Sequence, residues 1–446
     1  MLFSVNLASL TCGVSFGWTS PVLPKLQSNE TTPFDEPVTV GQASWIGSLL
    51  PVGAVLGPFL AGSAADKIGR KWTLLVSVAP FVPAFITSAF SSSLVAIYIA
   101  RFVCGLGTGG VFTVLPMYVG EISDDSLRGS LSSMLQLFVT FGLLFSYACG
   151  PYLNLATFNL VCAVVPVSFL VLMFVFVPES PYYLIAAGKE DEAEDALGKF
   201  RGRNKNEVSS ELADIKKSVQ SSASERNISD VLKSRGCRKA FVLSIGLVFF
   251  QQFSGINVVL FYAETVFEAT GSGIPSDIST IIVGVVQVTF SVVTPMLVER
   301  QGKRLLLLWS AVGMAAPHFV LGYYFYQKEN GNAIETLFWL PVLCLIFYNA
   351  TYCIGFGPLP WAVLGELFPQ NVKSVASTLT ASVCWFLAFL ITKYFSVVAS
   401  LIGNGASFCI FGSMCLLAGS FVYRFLPETS GKSLKEIQDI LEKGSK

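Results

Sequence analysis

The stretch Asp66-Lys67-Ile68-Gly69-Arg70-Lys71 recurs in altered form as Glu299-Arg300-Gln301-Gly302-Lys303-Arg304. Each copy lies between two long apolar segments, so an acidic residue, a glycine and a basic pair occupy the same turn twice. Two further pairs keep the same order: Glu121 with Glu366, and Pro178-Glu179-Ser180-Pro181 with Pro427-Glu428-Thr429-Ser430. Repetition at corresponding places indicates duplication of a larger unit. We therefore predict two structurally equivalent halves.

The composition places this duplicated chain in a bilayer. Its 446 residues are 53% hydrophobic and 13% charged, and the mean hydropathy is +0.63. A membrane-spanning helix needs about 20 apolar residues. About twelve stretches meet that test: 2–20, 43–64, 73–90, 94–118, 130–149, 156–177, 238–261, 278–298, 305–326, 336–356, 375–398 and 405–426.

These stretches predict an all-α membrane protein with twelve transmembrane helices in two pseudo-symmetric six-helix bundles. The charged insert between the halves suits short solvated helices. The expected units are an N-terminal bundle at 1–177, a cytosolic linker at 178–237, a C-terminal bundle at 238–426 and a cytosolic tail at 427–446.

The distribution of Lys and Arg predicts the orientation. Basic residues are enriched in 65–72, in 299–304 and in the insert, which lie on one side of the predicted alternation. Cytoplasmic loops carry such an excess, so we expect this side and both termini to be cytoplasmic. The sequon Asn29-Glu30-Thr31 then falls in an exterior loop, which predicts glycosylation at Asn29.

Several function classes are disfavoured by residue usage. The formal net charge is zero and no basic face is visible, so we expect no nucleic-acid partner. The single histidine, His318, excludes clustered-histidine zinc sites and argues against Ser-His or Cys-His catalysis. Seven of the ten cysteines lie inside apolar runs without metal-ligand spacing: Cys12, Cys104, Cys162, Cys344, Cys384, Cys409 and Cys415. We therefore predict no enzyme activity, no cofactor and no bound metal.

The repeated charges suggest a gate at the cytoplasmic end. Acidic residues at helix ends can pair with basic residues in neighbouring turns, and such pairs must open when a substrate leaves. The predicted charge network contains Asp66, Arg70, Glu121, Arg128, Glu179, Glu299, Arg304, Glu366 and Glu428. The alternative, anchoring by the positive-inside rule alone, explains the basic residues but not the interleaved acids.

Seven strings carry a resemblance to a known family. They are Asp66-Lys67-x-Gly69-Arg70-Lys71, Arg101-x-x-x-Gly105-x-Gly107, Pro116-x-Tyr118-x-x-Glu121, Pro178-Glu179-Ser180-Pro181, Gln251-Gln252-x-Ser254-Gly255-Ile256-Asn257, Gly357-Pro358-Leu359-Pro360-Trp361 and Pro427-Glu428-Thr429-Ser430-Gly431-Lys432-Ser433-Leu434. In this order they resemble the sugar porters of the major facilitator superfamily, and 17–26 further resembles insect facilitated trehalose transporters and their relatives. The resemblance implies the major facilitator fold, the plasma membrane, and alternating-access transport of trehalose or a hexose.

A sugar presents hydroxyl groups and apolar faces, so amides and aromatic rings are its expected partners. The polar residues within apolar spans are Gln136, Gln251, Gln252, Asn257 and Gln287. The resemblance implies that Gln251, Gln252 and Asn257 contact sugar. It also places Trp361 and Trp385 at sugar-stacking positions, and Tyr262 at an outer gate. The alternatives are amides that join helices and tryptophans that fill the core or meet lipid.

Thr19 bears on energy coupling. Proton-coupled members of the resembled family carry an aspartate after the Gly-aromatic pair of the first helix, where this chain has Thr19. A threonine does not titrate, so we predict uniport. Arg101 is then expected to be a buried cation bonded to backbone or to gate residues. The alternatives are a proton-coupled sugar symporter and a non-transporting sugar sensor. The expected partners are the sugar and membrane lipid.

Overall fold

The computed structural model describes residues 2–123, 128–202, 205–222, 235–270, 275–331, 337, 339–368, 370–430, 432 and 434–443. Within these residues the chain is helical and contains no strand. Eight helical stretches among them are long and apolar enough to cross a membrane: Val40–Ile68, Arg70–Phe90, Leu94–Ile122, Leu155–Phe176, Ser276–Gln301, Lys303–Glu329, Leu340–Leu367 and Val375–Phe425. The last belongs to the helix Gln370–Phe425, which bends at Gly403 (φ 86°) and forms two spans.

Three more spans are interrupted or less apolar. They are Leu2–Gly17 with Thr19–Gln27, Arg128–Cys149, and Arg235–Phe253 with Ile256–Thr270. The described residues therefore form twelve spans, numbered here 1 to 12 in chain order. Span 3 consists of Arg70–Val78 and Phe81–Phe90, and span 10 of Leu340–Ile354 and Leu359–Leu367. The predicted all-α fold with twelve spans is confirmed.

The charged insert forms short helices beside the first half. These are Pro181–Ala186, Glu190–Arg201 and Lys205–Ser222. They share a small apolar core that includes Leu197 and Leu212. Arg201 attaches this unit to the first half, because its Nη1 donates to the carbonyl of Ile122 at 2.8 Å. A last helix, Leu434–Lys443, lies against the second half, where Lys239 donates to the carbonyl of Leu441 at 2.7 Å.

Span 1 is longer than predicted. The sequence suggested that it ends near Pro21, but a second helical segment runs from Thr19 to Gln27 and contains Pro21 and Pro24. Trp18 keeps helical backbone angles (φ −54°, ψ −40°), and its N–H donates to the carbonyl of Val14 at 2.9 Å, so the helical path continues past it. Pro21 removes the one bond that its missing N–H would make to the carbonyl of Gly17, which interrupts the helix without ending the span. The predicted end of this span at residue 20 was therefore wrong.

Spans 2 and 4 cross at two facing glycine pairs. A Cβ added at Gly53 would lie 2.1 Å from the carbonyl oxygen of Phe102, and one at Gly105 would lie 2.1 Å from that of Leu50. Gly57 and Gly109 follow four residues later on each helix, and a Cβ added at Gly57 would lie 2.7 Å from the Cα of Gly109. Small residues at this spacing allow close backbone approach in membranes. The crossing fixes the geometry of the first half.

We expect Gly105→Ala to destabilise the protein by about 1–3 kcal/mol, because the new methyl group would force these helices apart. The measurement is thermal unfolding of the purified protein in detergent. Gly62→Ala is the matched control, since it lies on span 2 with nothing within 4 Å of the added Cβ. If Gly105→Ala unfolds at the temperature of the parent, the close crossing is wrong.

Candidate functional site

Span 7 breaks between Phe253 and Ile256, with Gly255 at φ 87°. Gln252 lies before the break and Asn257 after it. On an uninterrupted helix, residues five apart would point about 140° away from each other. Here the Nδ2 of Asn257 donates to Oε1 of Gln252. The break, rather than helical periodicity, brings the two amides together.

Gln251, Gln252 and Asn257 form an amide cluster that is 3%, 7% and 5% exposed, respectively. The Nε2 of Gln252 also donates to the Sγ of Cys384 on span 11 at 2.9 Å. The same thiol lies 3.8 Å from Oε1 of Gln251. Sequence reasoning did not select Cys384, because a single cysteine in an apolar run gives no signal of a polar contact.

Gln251 has a structural contact that its position in the sequence did not reveal. Its Nε2 donates to the carbonyls of Phe356 at 2.6 Å and Gly357 at 2.9 Å. These carbonyls lie at the break in span 10. Both amide hydrogens of Gln251 are thus used by the backbone, and its oxygen, which accepts from the Cys384 thiol, is the only group of this side chain that a substrate hydroxyl could bond.

Gln287 lies on span 8 and is 2% exposed. Its Nε2 donates to Oδ1 of Asn349 on span 10 at 2.6 Å, while its own Oε1 is buried without a hydrogen-bond partner among the described residues. Asn349 was missed, although it is an amide in an apolar span. Gln136 is half-buried on span 5 and takes no part in these contacts.

Aromatic rings from both halves meet near the middle of the spans. We call Phe16, Phe112, Phe261 and Trp385 the central aromatic cluster. The ring of Trp385 lies 5.8 Å from that of Phe16 and 5.6 Å from that of Phe112, and Phe16 lies 6.2 Å from Phe261. Trp385 is 8% exposed, and its Nε1 is buried without a hydrogen-bond partner in the described part of the chain. Trp361, on span 10, is half-buried and packs against the main hydrophobic core.

Arg101 lies far from the repeated charges. It is 20 residues before Glu121 on the same helix, which is about 30 Å at 1.5 Å per residue. Its Nε donates to the carbonyl of Ile46 at 3.2 Å, and its Nη1 to the carbonyl of Ser15 at 2.8 Å. Its guanidinium lies 5.1 Å from the centre of the Trp18 ring. Arg101 was expected to bond either the backbone or the gate residues. The structure places it against the backbone and away from the charge network.

In the first half, four predicted charges meet in one cluster. Arg70 binds Glu121 at 3.0 Å and lies 3.8 Å from Asp66. Glu179 accepts from the backbone amides of Arg70 and Lys71 at 3.0 Å each. The hydroxyl of Ser180 donates to Glu121. The cluster joins spans 2, 3 and 4 to the chain that follows span 6.

The second-half cluster uses a different cation from the one predicted. Lys303, not Arg304, pairs with Glu366. Arg304 instead donates to the carbonyl of Tyr423 at 2.5 Å. The motif alignment contains the reason, because Lys303 is the counterpart of Arg70 in the repeat. Glu299 is exposed and takes no part in these contacts.

Glu179 and Glu428 occupy matching places with opposite pKa shifts. Burial raises the pKa of Glu179 above its ordinary value, and the amides of Ser180, Lys71 and Arg70 offset this only in part. Burial also raises the pKa of Glu428, but hydrogen bonds from Ser430, Arg304 and Lys303 outweigh it, so the net pKa is lowered. Acidification will therefore neutralise the first-half carboxylate before the second-half one.

The two halves are bonded to each other at the end remote from both charge clusters. Lys393 of span 11 donates to Oγ of Ser44 on span 2 at 2.8 Å and lies 4.0 Å from the centre of the Trp45 ring. The hydroxyl of Tyr147 donates to the carbonyl of Leu260 at 3.0 Å. These contacts hold that end closed.

The side chains of Arg128 and Tyr262 lie outside the described residues. Asn29 is exposed in the turn that follows Thr19–Gln27.

Comparisons with known proteins agree with this geometry. The family described as "Sugar (and other) transporter" matches residues 3–441. The chain is 35% identical over 438 residues to a protein named facilitated trehalose transporter Tret1 from Anopheles gambiae, covering 98% of this chain and 55% of that protein. It is 34% identical to the protein of the same name from Culex quinquefasciatus, covering 98% of this chain and 84% of that one. The chain thus spans little more than half the length of the Anopheles relative.

Solved structures of the proton:xylose symporter XylE share the fold. The form bound to 6-bromo-6-deoxy-D-glucose has a TM-score of 0.76 at 28% identity, covering 99% of each chain. A partially occluded inward-open form of XylE from E. coli has a TM-score of 0.78 at 28% identity, covering 97% of this chain and 99% of that one. Together with the family match over nearly the whole sequence, these structures show that the chain is a multi-pass membrane protein with the major facilitator fold and belongs to the Sugar (and other) transporter family.

Proposed function

We propose that this protein is a uniporter that lets a sugar, either trehalose or a hexose, equilibrate across the plasma membrane. The observation that carries the proposal is the buried amide cluster at the break in span 7, beside Trp385, in a chain of this family. Its termini and its two charge clusters face the cytoplasm, because the basic loops lie on that side. Asn29 is then exterior and available for glycosylation.

The chemistry of the site suits an uncharged polyol. Within the described part of the chain, Oε1 of Gln287 and Nε1 of Trp385 have no hydrogen-bond partner. The first can accept a hydroxyl hydrogen, and the second can donate to a hydroxyl oxygen. The central aromatic cluster offers flat apolar surface to the C–H faces of the ring. Relatives named for trehalose transport and a fold neighbour bound to a glucose derivative support this substrate class.

Alternating access would follow from rocking of the two halves, 1–177 and 238–426, about the central site. The contacts of Lys393 and Tyr147 close the exterior end, so the structure corresponds to a state closed to the outside. Each charge cluster lies within one half. In this state, each cluster holds the inner ends of its own helices together. We propose that the two clusters move towards each other when the inner face closes.

Uncoupled transport is favoured by the surroundings of Thr19. This residue is fully buried, and its hydroxyl donates to the carbonyl of Phe16 at 3.2 Å. The nearby cation Arg101 is bonded to the neutral oxygens of Ile46 and Ser15. None of these groups changes its charge near neutral pH, whereas a proton-driven carrier requires one that does.

The protein in liposomes should therefore bring labelled sugar to the external concentration and not beyond it. An inward pH gradient should leave this end point unchanged, since neither Thr19 nor Arg101 takes up the proton. The measurement is uptake of trehalose, glucose and fructose at equilibrium, with and without a protonophore. Accumulation that needs the gradient would show coupled transport instead.

Gln252→Ala should raise the half-saturation constant for sugar about tenfold, which corresponds to the loss of one or two net hydrogen bonds of about 1 kcal/mol each. Saturation curves in liposomes provide the measurement. Thr289→Val is the control, because Thr289 is exposed on span 8 and bonds its own helix. If Gln252→Ala has the same half-saturation constant as the parent for every sugar, the amide cluster is not part of the binding site.

Arg70→Ala should lower stability and transport together, because it leaves the largely buried Glu121 without its cation. We expect a coupling energy of about 1–3 kcal/mol between Arg70→Ala and Glu121→Gln in a double-mutant cycle. Thermal unfolding of the four proteins gives this energy. The exposed pair of Lys217 and Asp214 is the control, since such pairs contribute little. Additive effects of the two substitutions would show that the pair is not a structural unit.

A further inference from the structure

His318, the only histidine of the chain, lies on span 9 and is 1% exposed. It is not part of the proposed binding site. Its Nε2 lies 2.8 Å from the backbone carbonyl oxygen of Ser254, at the break in span 7. A carbonyl oxygen only accepts, so the imidazole donates its Nε2–H in this contact. The contact fixes which nitrogen carries the proton.

The bonded carbonyl is one that the break has released. In a continuous helix the carbonyl of Ser254 would accept from the amide of Val258, four residues later. Here the amide of Val258 donates to the carbonyl of Gly255 at 3.0 Å. A carbonyl left without a partner inside a membrane protein is costly. His318 supplies the missing donor from a different helix.

The neighbouring spans hold the imidazole and the break in place. The imidazole ring lies 4.5 Å from the ring of Tyr348, measured between centroids. The hydroxyl of Tyr348 lies 3.2 Å from Oγ of Ser254, which itself donates to the carbonyl of Gln251 at 2.7 Å. Phe411 of span 12 packs against Gly255 at the break, where an added Cβ would lie 3.0 Å from the Phe411 ring. Spans 9, 10 and 12 thus enclose the break.

We propose that His318 is a positioning residue for sugar binding, which holds the span 7 break so that Gln252 and Asn257 face the same point. This rests on the proposed sugar transport. If the donor is lost, the Ser254 carbonyl regains its amide partner by local rewinding. Rewinding turns Asn257 away from Gln252, because five residues of continuous helix separate their directions by about 140°.

Two substitutions separate the hydrogen bond from the packing. His318→Phe keeps a ring of similar shape without the donor, whereas His318→Gln keeps a donor without the ring. In liposomes, His318→Phe should raise the half-saturation constant for sugar about five- to tenfold while the maximal rate changes less than about twofold. His318→Gln should recover about half of that loss on a logarithmic scale.

Phe325→Leu is the packing control, because Phe325 is a buried aromatic of the same helix that stacks on Phe408. It should lower the melting temperature and leave the half-saturation constant unchanged. A purely structural role for His318 predicts that His318→Phe behaves like Phe325→Leu. That result, or a His318→Gln variant as impaired as His318→Phe, would overturn the proposal.

A second measurement needs no sugar. Backbone amide hydrogen exchange at residues 255–259, measured by mass spectrometry on the purified protein, should differ at least about threefold between His318→Phe and the parent. Exchange in a peptide from span 4 should be equal in both. Unchanged exchange at the break would overturn the positioning role. If the parent transports no sugar while this exchange changes as expected, the proposed transport fails and the role of His318 in holding the break stands.

Discussion

The satisfaction of backbone hydrogen bonds inside a bilayer controls the arrangement of this site. A helix interrupted at membrane depth releases carbonyls that water cannot reach, and only other parts of the protein can bond them. Span 10 is interrupted after Ile354, and Gln251 bonds the released carbonyls of Phe356 and Gly357. Span 7 is interrupted after Phe253, and His318 bonds the carbonyl of Ser254. Each break is therefore supported by a side chain from another span, and the two breaks are joined through Gln251.

The bonding of Gln251 to backbone carbonyls changes how the amides of the site are interpreted. A glutamine in an apolar span can bind a substrate or join helices, and the sequence does not separate the two roles. Gln251 commits both of its amide hydrogens to the backbone, so any sugar contact must use its oxygen. Asn257 donates to Gln252, and Gln252 donates to Cys384. A sugar hydroxyl can replace either of these contacts. The proposed binding site thus depends on a structural glutamine and an exchangeable pair of amides.

The sequence predicted the features that depend on local pattern. Span length, hydropathy and the duplicated charge motif were enough for twelve helices in two halves. It did not predict where span 1 ends, because the backbone keeps helical angles at Trp18 and the helix continues through Pro21 and Pro24. It misassigned the cation that meets Glu366, although the repeat aligns Lys303, and not Arg304, with Arg70. Contacts such as Gln287 with Asn349 join residues 62 positions apart, and no local signal pairs them.

The halves are alike in backbone but not in the strength of their charge clusters. Arg70 presents its Nε to both oxygens of Glu121 at 3.1 Å, and its Nη2 adds a third contact at 3.0 Å. Lys303 contacts one oxygen of Glu366. A planar guanidinium fixes direction as well as charge, whereas an ammonium group acts as a point charge on a flexible stem. The first-half cluster is therefore the more rigid of the two. If the halves rock during transport, the inner ends in the second half can adjust with less loss of bonding, because Lys303 can keep its partner over a wider range of positions.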